Sequence, residues 1–238
     1  MRYLRYKKMT VDPQAYIIKL NMIIEPNVRL IRVAPTNLKI TLGYILASLS
    51  SLCWIDSLAT YLQEGYRVRA EGTIEKLNDL FKESITSNLK SEMGEYVVSE
   101  LSRSSVVNSL HYTDIPLGEL FKEQKSGNPG FDFFAANGNI LLFGEAKYRS
   151  NHNAYSSAFE QINRFVSEKR DQADIPDLQS IVDSEVLIKA SQGDRGFIGG
   201  FSSTAISNDV LERHIKNDEH YKSLPKTHEI ICVAVDIQ

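Results

Sequence analysis

The chain is poor in the residues that build covalent or thiolate frameworks. Of its 238 residues only Cys53 and Cys232 are cysteines. They lie far apart in apolar surroundings, which excludes a disulfide framework or a cysteine zinc site and leaves two reduced core residues. His214, His220 and His228 show no ligand spacing with acids or cysteines. Low-complexity runs and internal repeats are missing, which removes the repeat architectures. No apolar core or small-residue cleavage site follows the basic first ten residues, so no secretory signal is expected. A long charge-free apolar run is missing as well. Thr41 to Leu62 comes nearest and is about as long as a membrane span. Its serines, its threonines and the central Asp56 make insertion costly. A buried helix is expected there, or two helices broken near Ser50-Ser51, and the expected location is the cytoplasm. Gly193-Asp194-Arg195-Gly196 is too sparse in glycine to cradle phosphate.

What is present is enough hydrophobic residue, 42%, for one substantial core, or for a catalytic domain and a smaller addition. The net charge of −3 is unevenly spread. Residues 1–40 hold eight basic side chains (Arg2, Arg5, Lys7, Lys8, Lys19, Arg29, Arg32, Lys39) against Asp12 and Glu25, and the remainder is acidic. Such a basic region suits contact with phosphates, or is the solvated face of a small sheet.

Short alternating runs in residues 1–35, punctuated by Pro13, Pro26 and Pro35, predict two or three strands. A helical region follows from Asn37 to Gln63, then a turn or short strand from Gly65 to Gly72. Thr73 is placed to cap a helix ending near Leu89, and a second helix is expected over Ser91–Leu101. Phe131–Ala136 and Ile140–Tyr148 form a hairpin across Asn137-Gly138-Asn139, because Asn-Gly favours a type I′ turn. Tyr155 to Arg170 has strong helical spacing. Residues 174–195 are weakly helical, 196–203 a strand, 209–222 a polar helix and 229–237 a buried strand. The order implies an α/β fold with a mixed sheet flanked by helices. A small α+β N-terminal region over 1–70 is expected, with the main domain over 71–238.

The chemistry concentrates on the hairpin. Glu145 and Lys147 are two apart on a strand and share a face. With a two-residue turn, Ala136 pairs with Asn139 and Asp132 lies opposite Phe143, diagonal to Glu145 and on its face. A three-residue loop puts Asp132 on the wrong face unless a bulge corrects it. Phe131, Phe133, Leu142 and Ala146 are expected to pack the other face, and Gly130 and Gly144 to leave room for a nucleic-acid backbone. Two carboxylates and an ammonium on an apolar hairpin suit a divalent metal held against a phosphodiester. The plainer alternative is a Glu145–Lys147 ion pair on an ordinary strand, with Asp132 a surface residue. Arg149, His152 and Lys169-Arg170 are within reach of a substrate, but each reads more simply as a solvated side chain.

Pro129-Gly130-Phe131-Asp132 with Glu145-Ala146-Lys147 resembles the PD-(D/E)XK nuclease superfamily, over about residues 73–170. The resemblance implies a restriction-endonuclease-like core and Mg²⁺-dependent cleavage of DNA, with Mn²⁺ as a substitute ion. It implies metal ligation by Asp132, Glu145 and the Ala146 carbonyl. Glu95, in Met93-Gly94-Glu95-Tyr96, resembles the first-helix Glu that adds a carboxylate to the metal. Lys147 positions the attacking water, and Gln161 resembles the following-helix Gln that bonds DNA or the lysine. Within the superfamily the layout is similar to anti-phage nucleases of Hachiman-type systems, which implies a helicase partner. A stand-alone restriction or repair nuclease, or a non-catalytic interaction subunit, is the alternative.

Overall fold

In a computed structural model of the protein, the residues described are 10–86, 89–122, 130–204, 206–225 and 228–237. Pro129 and the basic residues Arg2, Arg5, Lys7 and Lys8 lie outside them. The alternating N-terminal run forms two strands, β1 (Tyr16–Glu25) and β2 (Val28–Pro35). They join through a two-residue turn at Pro26-Asn27, with Glu25 paired to Val28 and Asn27 at φ 61°. Pro presets the first turn position, and Asn tolerates the left-handed second one.

β2 continues into the main sheet by pairing parallel with the last strand, β7 (Ile230–Asp236). The remaining strands are β3 (Thr113–Asp114), β4 (Phe133–Ala136), β5 (Leu141–Lys147) and β6 (Arg195–Ser203). The seven-stranded order is β1-β2-β7-β6-β5-β4-β3, parallel from β2 to β5 and antiparallel at both margins. The continuous apolar run of β7 is what a strand covered on both faces requires.

The helices are α1 (Leu38–Leu49), α2 (Thr60–Thr86), α3 (Ser91–Leu110), α4 (Gly118–Phe121), α5 (Tyr155–Ser167), α6 (Arg170–Asp174), α7 (Ser184–Ser191), α8 (Asn208–Asn217) and α9 (Glu219–Lys222). Two adjacent glycines let helices settle on opposite faces of β6. A Cβ on Gly199 would stand 2.7 Å from the Phe159 ring of α5, and one on Gly200 2.5 Å from Ser102 Oγ of α3. The sheet is thus sandwiched between α3 and α5 at its centre. Leu49 ends α1, and Ser50 follows as its C-cap. No helix among the described residues is long and apolar enough to cross a membrane.

Three expectations on the helices are corrected. Gly65 to Gly72 is neither turn nor strand, because α2 runs through it. Each exposed Gly costs a helix only about 1 kcal/mol against Ala, and packing outweighs it: Tyr66 meets the buried Trp54 edge-on, and Ala70 and Leu77 are buried. Thr73 is no cap. It is buried within α2 and donates its hydroxyl to the Glu119 carbonyl. Helix α3 runs nine residues past the expected end at Leu101, through Ser102-Arg103-Ser104-Ser105. This polar run is enclosed because Arg103 pairs with Glu100 and Asp114 and donates to the Ile115 carbonyl. The expected boundary at residues 70/71 falls inside α2, and the strands of 1–70 belong to the same sheet as the rest.

Candidate active site

The hairpin that carries Asp132 and Glu145 closes differently from expectation. Ala136 pairs with Leu141, not Asn139, so the loop is four residues, 137–140. Neither Asn137 nor Gly138 has the positive φ of a type I′ turn. The Asn137 side chain wins instead: its Oδ1 accepts the N–H groups of Asn139 (2.9 Å) and Ile140 (3.1 Å). That local capping is the competing habit of Asn. The register therefore slips by two residues, which preserves the face of every side chain. Carried one step beyond Phe133–Gly144, it sets Asp132 across from Glu145 instead of diagonal to it.

Asp132 sits where β4 leaves the ladder. Its N–H donates to the Gly144 carbonyl and its own carbonyl accepts from Gly118 N–H at the start of α4. Its Oδ2 takes over the next ladder position, accepting from Ala146 N–H at 2.8 Å. Lys122 and Asp174 fix the chain just before it. They pair at 2.7 Å, Lys122 donates to the Phe131 carbonyl, and Asp174 accepts from Phe131 N–H, both at 2.8 Å. Lys122 and Asp174 are 52 positions apart, and no sequence signal joins them. The Ala146 N–H is bonded on Asp132's edge of β5, the edge to which its carbonyl also belongs in an extended strand.

Glu145 is fully buried, and Lys147 Nζ lies 2.6 Å from its Oε1. The ion pair of the plainer alternative is therefore present, but Asp132 is half-buried and bonded to β5, not a surface residue. Glu145 Oε2 is buried and has no hydrogen-bond partner among the described residues. A buried lone oxygen of this kind is costly unless something supplies positive charge or a donor. Burial, then the negative charge of Asp132, pushes the Glu145 carboxyl well above its usual range, against the pull of Lys147. Burial also raises Asp132 and Glu95, again against Lys147. For Lys147 burial alone would lower the ammonium's pKa, but Glu145 and Asp132 hold it above the ordinary lysine value. Four groups from α3, the end of β4 and β5 thus share one electrostatic neighbourhood.

Other expected members stand apart or change role. Gln161 is half-buried on α5, and no hydrogen bond among the described residues joins it to Lys147 or the carboxylates. Gly130 and Gly144 make room for the protein, not for nucleic acid: added Cβ atoms would stand 2.4 Å from Asp174 Oδ1 and from the Phe133 ring. Phe131 packs on the Glu145 face, not the opposite one, against Phe143, Phe165 and Phe197. Arg170 is paired with Glu168.

Beside the pair opens a cleft of about 480 Å³, lined by Leu89, Ser91 and Glu95 on one side and by Lys147 and residues 148–152 on the other. Among the described residues no group of three or more His, Cys, Asp or Glu side chains is arranged to hold a metal ion. The donor set is smaller and suits Mg²⁺, which keeps several waters and needs only one or two carboxylates. The unpartnered Oε2 of Glu145 is where a cation would offset the burial. No protein-family model, curated protein or solved structure matches this chain.

Proposed function

We propose that the protein is a metal-dependent nuclease that hydrolyses DNA phosphodiester bonds on a restriction-endonuclease-like core. The observation that carries this is the buried Glu145, tied by one oxygen to Lys147, without a partner among the described residues at the other, and within electrostatic reach of the half-buried Asp132, next to a cleft that Lys147 lines. Asp132, Glu145 and the Ala146 carbonyl are the groups that would hold Mg²⁺ or Mn²⁺, with Glu95 adding a carboxylate directly or through water. When bound, the ion supplies charge relief on the scissile phosphate and a more acidic water. Lys147 orients the attacking water and stabilises the charge that builds on the phosphate. Glu145 places that ammonium, and the Asp132–Ala146 bond keeps the two carboxylates on one edge. Gln161 makes no bond to Lys147, so its share in the site narrows to the substrate.

The proposal extends to an effector role in prokaryotic anti-phage defence, beside a helicase partner. Ile17, Ile18 and Ile23 support a docking surface, since all three stand exposed on β1, the outermost strand. Co-purification with a helicase separates this role from that of a stand-alone restriction or repair nuclease. The deciding experiment for catalysis is cleavage of plasmid and linear DNA with Mg²⁺ and with chelator. Wild type is expected to cut only with the ion, and Glu145→Ala and Lys147→Ala to cut far more slowly. Equal behaviour of all three proteins would leave only a non-catalytic interaction subunit.

A further inference from the structure

Past Lys147 the chain forms a short strap, Tyr148 to Asn153, fastened at both ends to β6. Arg149 N–H donates to Ser202 Oγ at 2.8 Å, and the same hydroxyl donates back to the Arg149 carbonyl at 3.0 Å. At the far end Asn153 Oδ1 accepts from Thr204 N–H at 2.9 Å, and Ala154 N–H donates to the Ser202 carbonyl. The strap is therefore held in shape without a ligand, and it forms one wall of the cleft.

Two of its residues that line the cleft, Tyr148 and Arg149, carry groups that a ligand could use. The Tyr148 ring rests on Gly94 of α3, so closely that a Cβ there would stand 2.2 Å from its Cδ1. The ring is half-buried and lines the cleft, and its hydroxyl makes no hydrogen bond among the described residues. It offers an aromatic surface, not a polar anchor. Arg149 is exposed, and its guanidinium donates to the neutral Ser157 Oγ at 3.1 Å. Like Arg29, which bonds Asn21, and Arg69, which bonds the Phe121 carbonyl, it has no carboxylate partner among the described residues. An aromatic ring and an exposed guanidinium contributed to one cleft suit a planar ligand that carries its own anion. A cleft of about 480 Å³ is within the range of small-ligand sites, roughly 300–1,000 Å³.

We propose that this cleft takes an unpaired nucleotide of single-stranded DNA, its base stacked on Tyr148 and its phosphate on Arg149. Within a duplex each base is already stacked and paired, and its face is not open to a side chain. In a single strand the face is available, and aromatic stacking with backbone cations is the general solution. The inference rests on the nuclease reading only in placing the scissile phosphate at Lys147; the binding itself needs no cleavage.

The test uses the full chain in chelator, where nothing is cut. Fluorescence anisotropy compares a labelled oligothymidylate with a duplex of equal length, and a 2-aminopurine single strand reports stacking by quenching. Wild type and Tyr148→Phe are expected to prefer the single strand and to quench. Tyr148→Leu should bind the single strand about tenfold more weakly, quench no longer, and leave duplex affinity unchanged. Arg149→Ala should flatten the slope of log affinity against log salt by about 0.7, one phosphate on a single strand. Equal affinity for duplex and single strand, or unchanged 2-aminopurine emission on binding, overturns the inference. If Tyr148→Leu does not fold, the quenching by wild type and Tyr148→Phe and the Arg149→Ala slope decide it. Stacking without Mg²⁺-dependent cleavage of any DNA sinks the nuclease reading alone, and cleavage with a duplex preference sinks this one alone.

Discussion

Two charge clusters in this protein each set one cation among carboxylates, and they stand in opposite states of completion. In the first, Arg103 of α3 reaches both oxygens of Glu100, the carboxylate of Asp114 and the Ile115 carbonyl, while Ser48 donates to Glu100. All three charged residues are buried, and the cluster ties α3 to α1 and β3. In the second, Lys147 satisfies one oxygen of Glu145, the other is left alone, and the group borders open space. A guanidinium with five donors in a fixed fork can close such a cluster; an ammonium on a flexible stem cannot reach as many acceptors in fixed directions. Completion marks structure, and incompletion beside a cleft marks a place where something binds. Experiment can break the contrast.

The largest effects should fall on different observables in the two clusters. Arg103→Ala leaves two buried carboxylates uncompensated and is expected to cost about 3–5 kcal/mol, read as a lower midpoint in urea unfolding. Glu145→Ala removes a proposed ligand and is expected to reduce cleavage on the order of 10²–10³-fold, with a melting temperature near that of wild type. If Glu145→Ala were the more destabilising of the two, the site would be a second structural cluster and the contrast would fail.

The difference between the clusters was only half legible in the sequence. Asp132, Glu145 and Lys147 announced themselves because charges on an apolar hairpin need a reason, and strand periodicity put Glu145 and Lys147 on one face. The Arg103 cluster gave no such sign: Ser102–Ser105 lies past the expected helix end at Leu101, and the partner Asp114 comes into reach only when α3 folds against β3. The turn was misjudged because Asn-Gly propensity for positive φ competes with side-chain capping by Asn137, and only the hydrogen bonds of the loop decide between them. The error was harmless to the site because it was an even number of residues. Most of the strands were readable from alternation and apolar runs. The second half of α2 was readable too, but its continuity through residues 65–72 was not, because Gly65 and Gly72 advertise a break that packing at Tyr66, Ala70 and Leu77 overrides.

A smaller effect sharpens where the second cluster ends. Gly94→Ala puts a methyl into the Tyr148 ring. Overpacking of this kind costs about 1–3 kcal/mol, but the ring can yield toward the cleft, so activity should suffer more than stability. With Gly94→Ala, cleavage of single-stranded DNA is expected to fall while the urea midpoint drops only modestly. A loss of stability with cleavage intact would detach the strap from the site.

The smallest effect is the dependence of stability on pH, and it tests the charge of Glu145 directly. Its carboxyl is held above the ordinary value of 4.5 in the folded protein, chiefly by burial and then by Asp132. A group of this kind contributes stability that is fully present below its unfolded pKa and is lost as pH rises through the folded one. Gln at this position cannot titrate. In chelator, the stability of wild type relative to Glu145→Gln should therefore decline as pH rises from 4.5, measured by urea midpoints across the series. The Glu145–Lys147 ion pair pulls the other way, but the net direction is upward, so the decline should survive it. Saturating Mg²⁺ should then flatten or reverse the decline, because a cation bound to the ionised carboxylates lowers their pKa and stabilises only the folded chain. A decline that Mg²⁺ does not alter would mean that the unpartnered oxygen of Glu145 is a cost of the fold rather than a ligand, and the two clusters would differ only in how well they are built.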